Sequence, residues 1–271
     1  MVIITLLILV LAIKDKKIKI SLVINLLGIT IINNLIKDGF VKEMSLEATK
    51  MDIDIVYEDD NIIVCNKPVG MPSQSDRTFE QDLVSYVLTH RTEQNEPAYA
   101  AIINRLDKPV GGLVLFAKNK KAAAGLSAVS GEHGIEKNYY ALVKGSPCDK
   151  GEFTDYLLKD GKNNISTVTD KDTKGSKKAV LLYEKLGEKT IDGEKYSLMR
   201  VRLLTGRHHQ IRVQFSHHGY PLYGDIKYNS DFRNRRDVSP ALFAYHLSFK
   251  NPVGADRITV EAEPESEIFR L

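Results

Sequence analysis

The chain has 271 residues, 43% hydrophobic and 27% charged, the make-up of an ordinary folded protein of one or two domains. Its two cysteines, Cys65 and Cys148, stand far apart and form no CxxC pair, which argues against a disulfide framework or a thiolate metal site and suits a reducing compartment. The net charge of +3 lies in residues 1–50, where seven Lys face four Asp and Glu; the remainder holds 31 basic and 31 acidic residues, so nucleic-acid binding by the body must come from local patches.

Residues 1–50 differ from the rest. Val2 to Ile13 is apolar apart from Thr5, but twelve residues are short for a bilayer span of about 20. The run begins directly after Met1, without the basic region that opens a secretory signal. Residues 1–50 read as a membrane-associating extension, a helical packing element or the product of a start assigned too far upstream; the abrupt shift in composition near Met51 favours the last, with Met44 and Met51 as later starts. Membrane association follows only if residues 1–36 are expressed.

From Met51 onward the pattern is that of one domain, 51–271. Ile53–Tyr57 and Ile62–Asn66 read as a hairpin around the acidic turn Glu58-Asp59-Asp60-Asn61. Phe79–Thr89 has helical apolar spacing. Next comes Ile103-Asn104-Arg105-Leu106-Asp107-Lys108-Pro109-Val110-Gly111-Gly112, a polar loop that feeds the apolar run Leu113–Ala117. Pro109 stiffens this loop and the glycine pair permits close backbone approach. Lys118–Ser130 reads as a helix, Tyr139–Val143 and Gly151–Asp160 as strands, and the polar stretch Gly161–Lys178 as a mobile loop or hairpin tip. Two more strands follow at Ala179–Leu186 and Tyr196–Leu204. Thr205 then fits a helix N-cap and Gly219 its C-terminal stop, with Ile211 and Phe215 on one face and Arg212 at that face's edge. Phe232–Arg236 is a compact basic loop, and Leu242–Lys250 and Arg257–Glu263 close the chain as strands. Many short strands with few helices predict an α+β fold on a mostly antiparallel sheet.

The chemistry narrows by elimination. His208, His209, His217 and His218 do not fall at the spacing of a metal pair, and no carboxylate stands among them. No nucleophile elbow, phosphate-binding glycine loop or dinucleotide motif is present. Asp107 by itself reads either as a turn aspartate capping local backbone or as a reactive carboxylate at the mouth of a strand. A single carboxylate acting as nucleophile beside an Arg is chemically coherent.

The sequence resembles the RluA-type pseudouridine synthase family. Asn104-Arg105-Leu106-Asp107 followed by Gly112-Leu113 is similar to the signature that carries the family's catalytic Asp. Glu58–Asn61 with Val64–Gly70 resembles its first motif, Lys137–Gly145 the segment with its active-site Tyr, and Thr205-Gly206-Arg207, His209–Val213 and Gly224-Asp225 its third motif. The resemblance covers residues 53–262 in the family's order. It departs at Asn104 for the usual His, Val110-Gly111 for Thr-Ser, and His208 for Thr.

The resemblance implies a pseudouridine-synthase-like catalytic core at 51–271, an α+β fold whose mixed, mostly antiparallel sheet is flanked by helices and loops. It lacks the small basic RNA-binding domain that many members carry in front. The implied activity is isomerisation of uridine to pseudouridine in structured RNA, ribosomal by default and transfer RNA as the other target, with no cofactor and no metal. Asp107, Tyr139 and Arg212 would be catalytic. Asn104, Arg105, Arg207, His209, Gln210 and the Arg233, Arg235, Arg236 loop would contact RNA, and Lys67 would order its own turn. The protein is expected to be cytoplasmic and monomeric. An inactive RNA-binding module of the same fold and a protein-interaction domain are the competing readings; Asp107, Tyr139 and Arg212 together favour the enzyme. The native protein is expected to show an intact mass below that of residues 1–271; a mass matching the full chain would overturn the later-start reading.

Overall fold

The computed structural model describes residues 53–75, 81–129 and 134–271. The extension 1–50, its start and its relation to membranes lie outside them.

The centre of the sheet is built from the two apolar runs. Strand β2 (Ile62–Lys67) and β4 (Gly111–Ala117) pair antiparallel, and Ile62–Cys65 and Leu113–Ala117 are fully buried. Burial on both faces explains why these strands show no polar alternation. On one face Val114 and Phe116 join Leu83 and Val87 of α1 (Leu83–Glu93) and Ile211 and Phe215 of α3 (Gln210–His217). On the other, Leu113 and Leu115 pack with Ala122 and Leu126 of α2 (Lys120–Val129).

Around this centre run β1 (Ile55–Glu58), β3 (Ala101–Ile102), β5 (Ile135–Lys144), β6 (Lys150–Asp160), β7 (Ile165–Thr169), β8 (Lys177–Ile191), β9 (Glu194–Leu203), β10 (Leu242–Lys250) and β11 (Arg257–Glu261). Among the described residues the strand order is β1-β2-β4-β10-β5-β9-β8-β6-β7, with β11 beside β10 and β3 beside β4. Every pairing is antiparallel except β4 with β10. The result is the mixed, mostly antiparallel α+β sheet the sequence predicts. The β8–β9 hairpin closes through Asp192-Gly193, both at positive φ, the geometry that a two-residue turn requires.

Two local expectations need correction. Gly161–Lys178 contains β7 and the start of β8; its polarity marks an outer strand with one solvated face, and Ser166 N–H is bound to the Tyr228 hydroxyl at 2.7 Å. Thr205 is not the N-cap of α3. Its hydroxyl donates to Gln210 Oε1 at 2.9 Å and accepts from Val180 N–H at 2.8 Å, and the helix starts only at Gln210. Gly219, at φ +87°, does stop the helix as expected.

One glycine at the start of β4 has a definite task. Gly112 sits at φ +115° against the backbone of Ala244, its partner in the parallel pair, and a Cβ there would collide with that backbone. The pair lies at the base of the Asp107 loop. Gly112→Ala is expected to lower stability by about 3 kcal/mol or more, combining a strained φ with a steric clash. Urea unfolding measures it.

Candidate active site

The loop that carries Asp107 is tied from both sides. Leu106 exchanges two hydrogen bonds with the buried Ser73 hydroxyl, donating its N–H at 3.0 Å and accepting at its carbonyl at 2.8 Å. Gly70 N–H reaches the Lys108 carbonyl at 2.9 Å, and Val110 N–H closes a turn on the Asp107 carbonyl at 2.9 Å. Beneath the loop, the fully buried Lys67 donates to the carbonyls of Pro68, Met71 and Lys108 at 2.9, 2.7 and 3.3 Å. Those three acceptors match the three ammonium protons. Burial pushes the Lys67 pKa down to about 8, with the negative charge of Asp107 opposing. Asn104 anchors the other end, donating to Leu113 O at 3.2 Å and accepting from Leu115 N–H at 2.8 Å.

Helix α3 brings Arg212 to this loop. Arg212 is buried, and its Nε and Nη2 grip the fully buried Asp225 at 2.7 and 2.8 Å, a bidentate pair. Its Nη1 reaches Asp107 Oδ2 at 2.9 Å, and its guanidinium lies over the Tyr228 ring at 5.3 Å. Burial disfavours the charge, but Asp225 and then Asp107 outweigh it, so the Arg212 pKa is raised. Asp225 in turn accepts from the N–H groups of Lys227 and Tyr228 at 3.0 and 3.2 Å. Gly224, at φ +72°, is pressed against the Ser239 carbonyl with no room for a side chain, which lets Asp225 turn inward.

His209 completes the surround. It occupies the left-handed region at φ 54°, ψ 24°, which a non-glycine residue adopts at some cost, and its Nε2 lies 3.3 Å from Asp107 Oδ2. Burial drives its pKa down to about 3, against the pull of Asp107, so the ring is neutral. The Tyr228 hydroxyl, already accepting from Ser166, can give its proton to His209 Nδ1 at 2.8 Å; this assigns the remaining ring proton to Nε2, facing Asp107. Arg212 and His209 both address Oδ2, and among the described residues Oδ1 has no partner.

Tyr139, from β5, lines the same cleft. It is 6% exposed, and burial together with the Asp107 charge raises its pKa, so the phenol is neutral. The cleft holds about 800 Å³, and among the described residues its walls carry Arg105, Lys108, Lys137, Lys159, Arg207 and Arg212 against one acid, Asp107. A charge-neutral body thus presents a strongly basic cleft.

The structure gathers Asp107, Tyr139 and Arg212 there, with Asn104, Arg105, Arg207, His209 and Gln210 in the lining. Two of these hold the scaffold instead of facing the opening with free groups. The Asn104 amide is taken by β4, and Gln210 accepts from Thr205 and Arg207 N–H while donating to Val180 O at 3.1 Å. Arg233, Arg235 and Arg236 are not brought to the cleft. Their loop lies beside Lys144, which binds Asp231 at 2.8 Å at the far end of β5, five residues and about 16 Å along the strand from Tyr139. Arg235 there pairs with Asp237 at 2.7 Å. Sequence reasoning missed Asp225, Tyr228 and Lys137 as site residues. Gly224-Asp225 was visible as a motif fragment, and its link to Arg212 was the available signal.

These features make a basic cleft suited to a polyanion, built around one carboxylate. Comparison with known proteins agrees. The family described as RNA pseudouridylate synthase matches residues 61–217. The chain is 33% identical over 227 residues to tRNA pseudouridine synthase C of Haemophilus ducreyi, covering 78% of this chain and 91% of that protein. It is 30% identical over 239 residues to ribosomal large subunit pseudouridine synthase D of Zymomonas mobilis, covering 83% and 73%. In fold it is similar to human RNA pseudouridylate synthase domain containing 4, with TM-score 0.64 at 20% identity over 79% of this chain and 89% of that one. The chain belongs to the RluA-type RNA pseudouridine synthase family, and it is an isomerase that acts on RNA.

Asp225 and Asp107 should behave oppositely on removal. Asp225→Ala leaves a buried guanidinium without its bidentate partner and is expected to cost about 3–5 kcal/mol; Asp107→Ala leaves that pair intact and is expected to cost less than about 2 kcal/mol. Urea midpoints of the two variants test the contrast.

Proposed function

We propose that Asp107 is the nucleophile of a cofactor-free isomerisation of uridine in structured ribosomal or transfer RNA. The observation that carries this is the carboxylate's geometry: Oδ2 is engaged by Arg212 and His209 while Oδ1 is left to the cleft. The target uridine leaves its stack and enters the cleft, where basic and aromatic groups offset the cost of unstacking. Oδ1 attacks the ribose anomeric carbon, and the N1–C1′ bond breaks with its electron pair leaving on uracil. The uracil turns within the cleft, C5 bonds to C1′, the carboxylate is released, and the C5 proton is lost while N1 gains one. Atoms and electrons balance without an oxidant, a reductant or an activated donor. Tyr139 stacks on the base, and its neutral phenol can relay the proton. The relatives act by name on transfer RNA in one case and on the large ribosomal subunit in another, which supports structured RNA as the substrate class.

RNA labelled with tritium at uridine C5, taken from cells lacking the gene, tests the reading, since bonding at C5 releases the label. Wild type is expected to release tritium and Asp107→Ala to be slower by at least about 10³-fold. Pseudouridine maps of ribosomal and transfer RNA from the same cells then name the target. Equal maps with wild type and Asp107→Ala would leave the inactive RNA-binding module as the better account.

A further inference from the structure

Lys137 is the one basic group of the cleft that is half-buried and has no counter-charge among the described residues. It stands on the same face of β5 as Tyr139, two residues earlier, and both side chains line the cleft. Across the sheet it faces Leu203. Its Nζ comes within 3.5 Å of the point where Gly206 would carry a Cβ, so that bare glycine leaves its approach open. The contrast with its neighbours is clear. Arg212 is held by Asp225 and Asp107, and Arg207 Nε binds the Lys178 carbonyl at 2.8 Å. Among the described residues Lys137 has neither a carboxylate nor a carbonyl. Burial lowers its pKa with no charge entering, whereas Tyr139, further in, does feel Asp107.

A cation taken partly out of water without an anion lowers stability, and a fold that keeps one has it ready for an anion that arrives later. The arriving substrate is a polyanion whose charge is all on phosphate; the uracil ring enters with neutral carbonyls. We propose that Lys137 is a substrate-binding residue that receives a backbone phosphodiester of the RNA flanking the flipped uridine, with the bare backbone at Gly206 forming the open side of the site. The inference rests on the cleft around Asp107 being where RNA is modified. Lys137 is a binding group for the ground state, so it holds the nucleotide in place without taking part in bond making.

Lys137→Met and Lys137→Arg test this. The binding probe is fluorescein-labelled total RNA from cells lacking the gene, titrated between about 50 and 200 mM KCl. For Lys137→Met the slope of log Kd against log salt is expected to fall by about one, with Kd raised about tenfold. Tritium release at saturating RNA is expected to stay within about threefold of wild type, as it does when ground-state and transition-state binding fall together. Removing an unpaired, half-buried cation is also expected to raise Tm by about 2 °C or more. Lys137→Arg restores the salt slope. An unchanged slope, a lower Tm or a failure to fold in Lys137→Met overturns the proposal, and so does loss of the saturating rate at unchanged slope, which would put Lys137 on the reacting base. Absence of tritium release from wild type would count against Asp107 chemistry, while salt slope and Tm would still judge Lys137.

Discussion

The site depends on a single guanidinium held between two carboxylates of different character. Arg212 grips Asp225 with two donors in a fully buried pair and extends its third toward Asp107 at the cleft. The inner pair supplies rigidity, because a bidentate contact allows one arrangement. The outer contact supplies position, because it fixes one oxygen of Asp107 and leaves the other. Removing the guanidinium from water is unfavourable, and Asp225, itself satisfied by two backbone N–H groups, makes the burial tolerable. Asp107 therefore has a fixed cationic neighbour whose own geometry does not depend on it.

The rest of the fold serves that arrangement. The antiparallel sheet sets β4 and β5 on either side of β10, and the parallel β4–β10 contact at Gly112 brings the end of the Asp107 loop against the strand that also pairs with β5. Lys67 and Ser73 lock the loop from below. Helix α3 buries Ile211 and Phe215, and that packing orients Arg212 inward. His209 takes a left-handed backbone conformation just before the helix and is thereby aimed at Asp107, an instance of local strain kept where it has a use. Around this rigid centre, the basic wall of the cleft gives a neutral domain a local attraction for RNA.

Legibility in the sequence followed the range of the interactions. The hairpin at 53–66, the buried run 113–117, the helix stop at Gly219 and the strands read at 139–143, 151–160, 179–186, 196–204, 242–250 and 257–263 are visible because periodicity and turn chemistry are local. The strand at 165–169 was hidden because an outer strand with a solvated face has a loop's composition. Thr205 misled because a hydroxyl that suits an N-cap also suits the Val180 backbone and Gln210, and only folded distance separates the two. Asn104 and Gln210 look like substrate contacts in a motif; the structure turns their amides to backbone, since buried amides must be satisfied.

By itself the sequence determined which residues were available: a stiff loop bearing Asp107, a helix offering Arg212 and a strand offering Tyr139, each set by neighbours a few positions away. Tertiary structure alone decided how they meet. Asp107 and Arg212 are 105 positions apart, so no local rule could place Nη1 at 2.9 Å from Oδ2. Nor could one assign Asp225 to Arg212, carry the Arg233 loop to the far end of β5, or leave Lys137 without a counter-charge among the described residues. Those outcomes depend on which groups share a buried volume, and that is settled only when the sheet closes and the apolar faces pack.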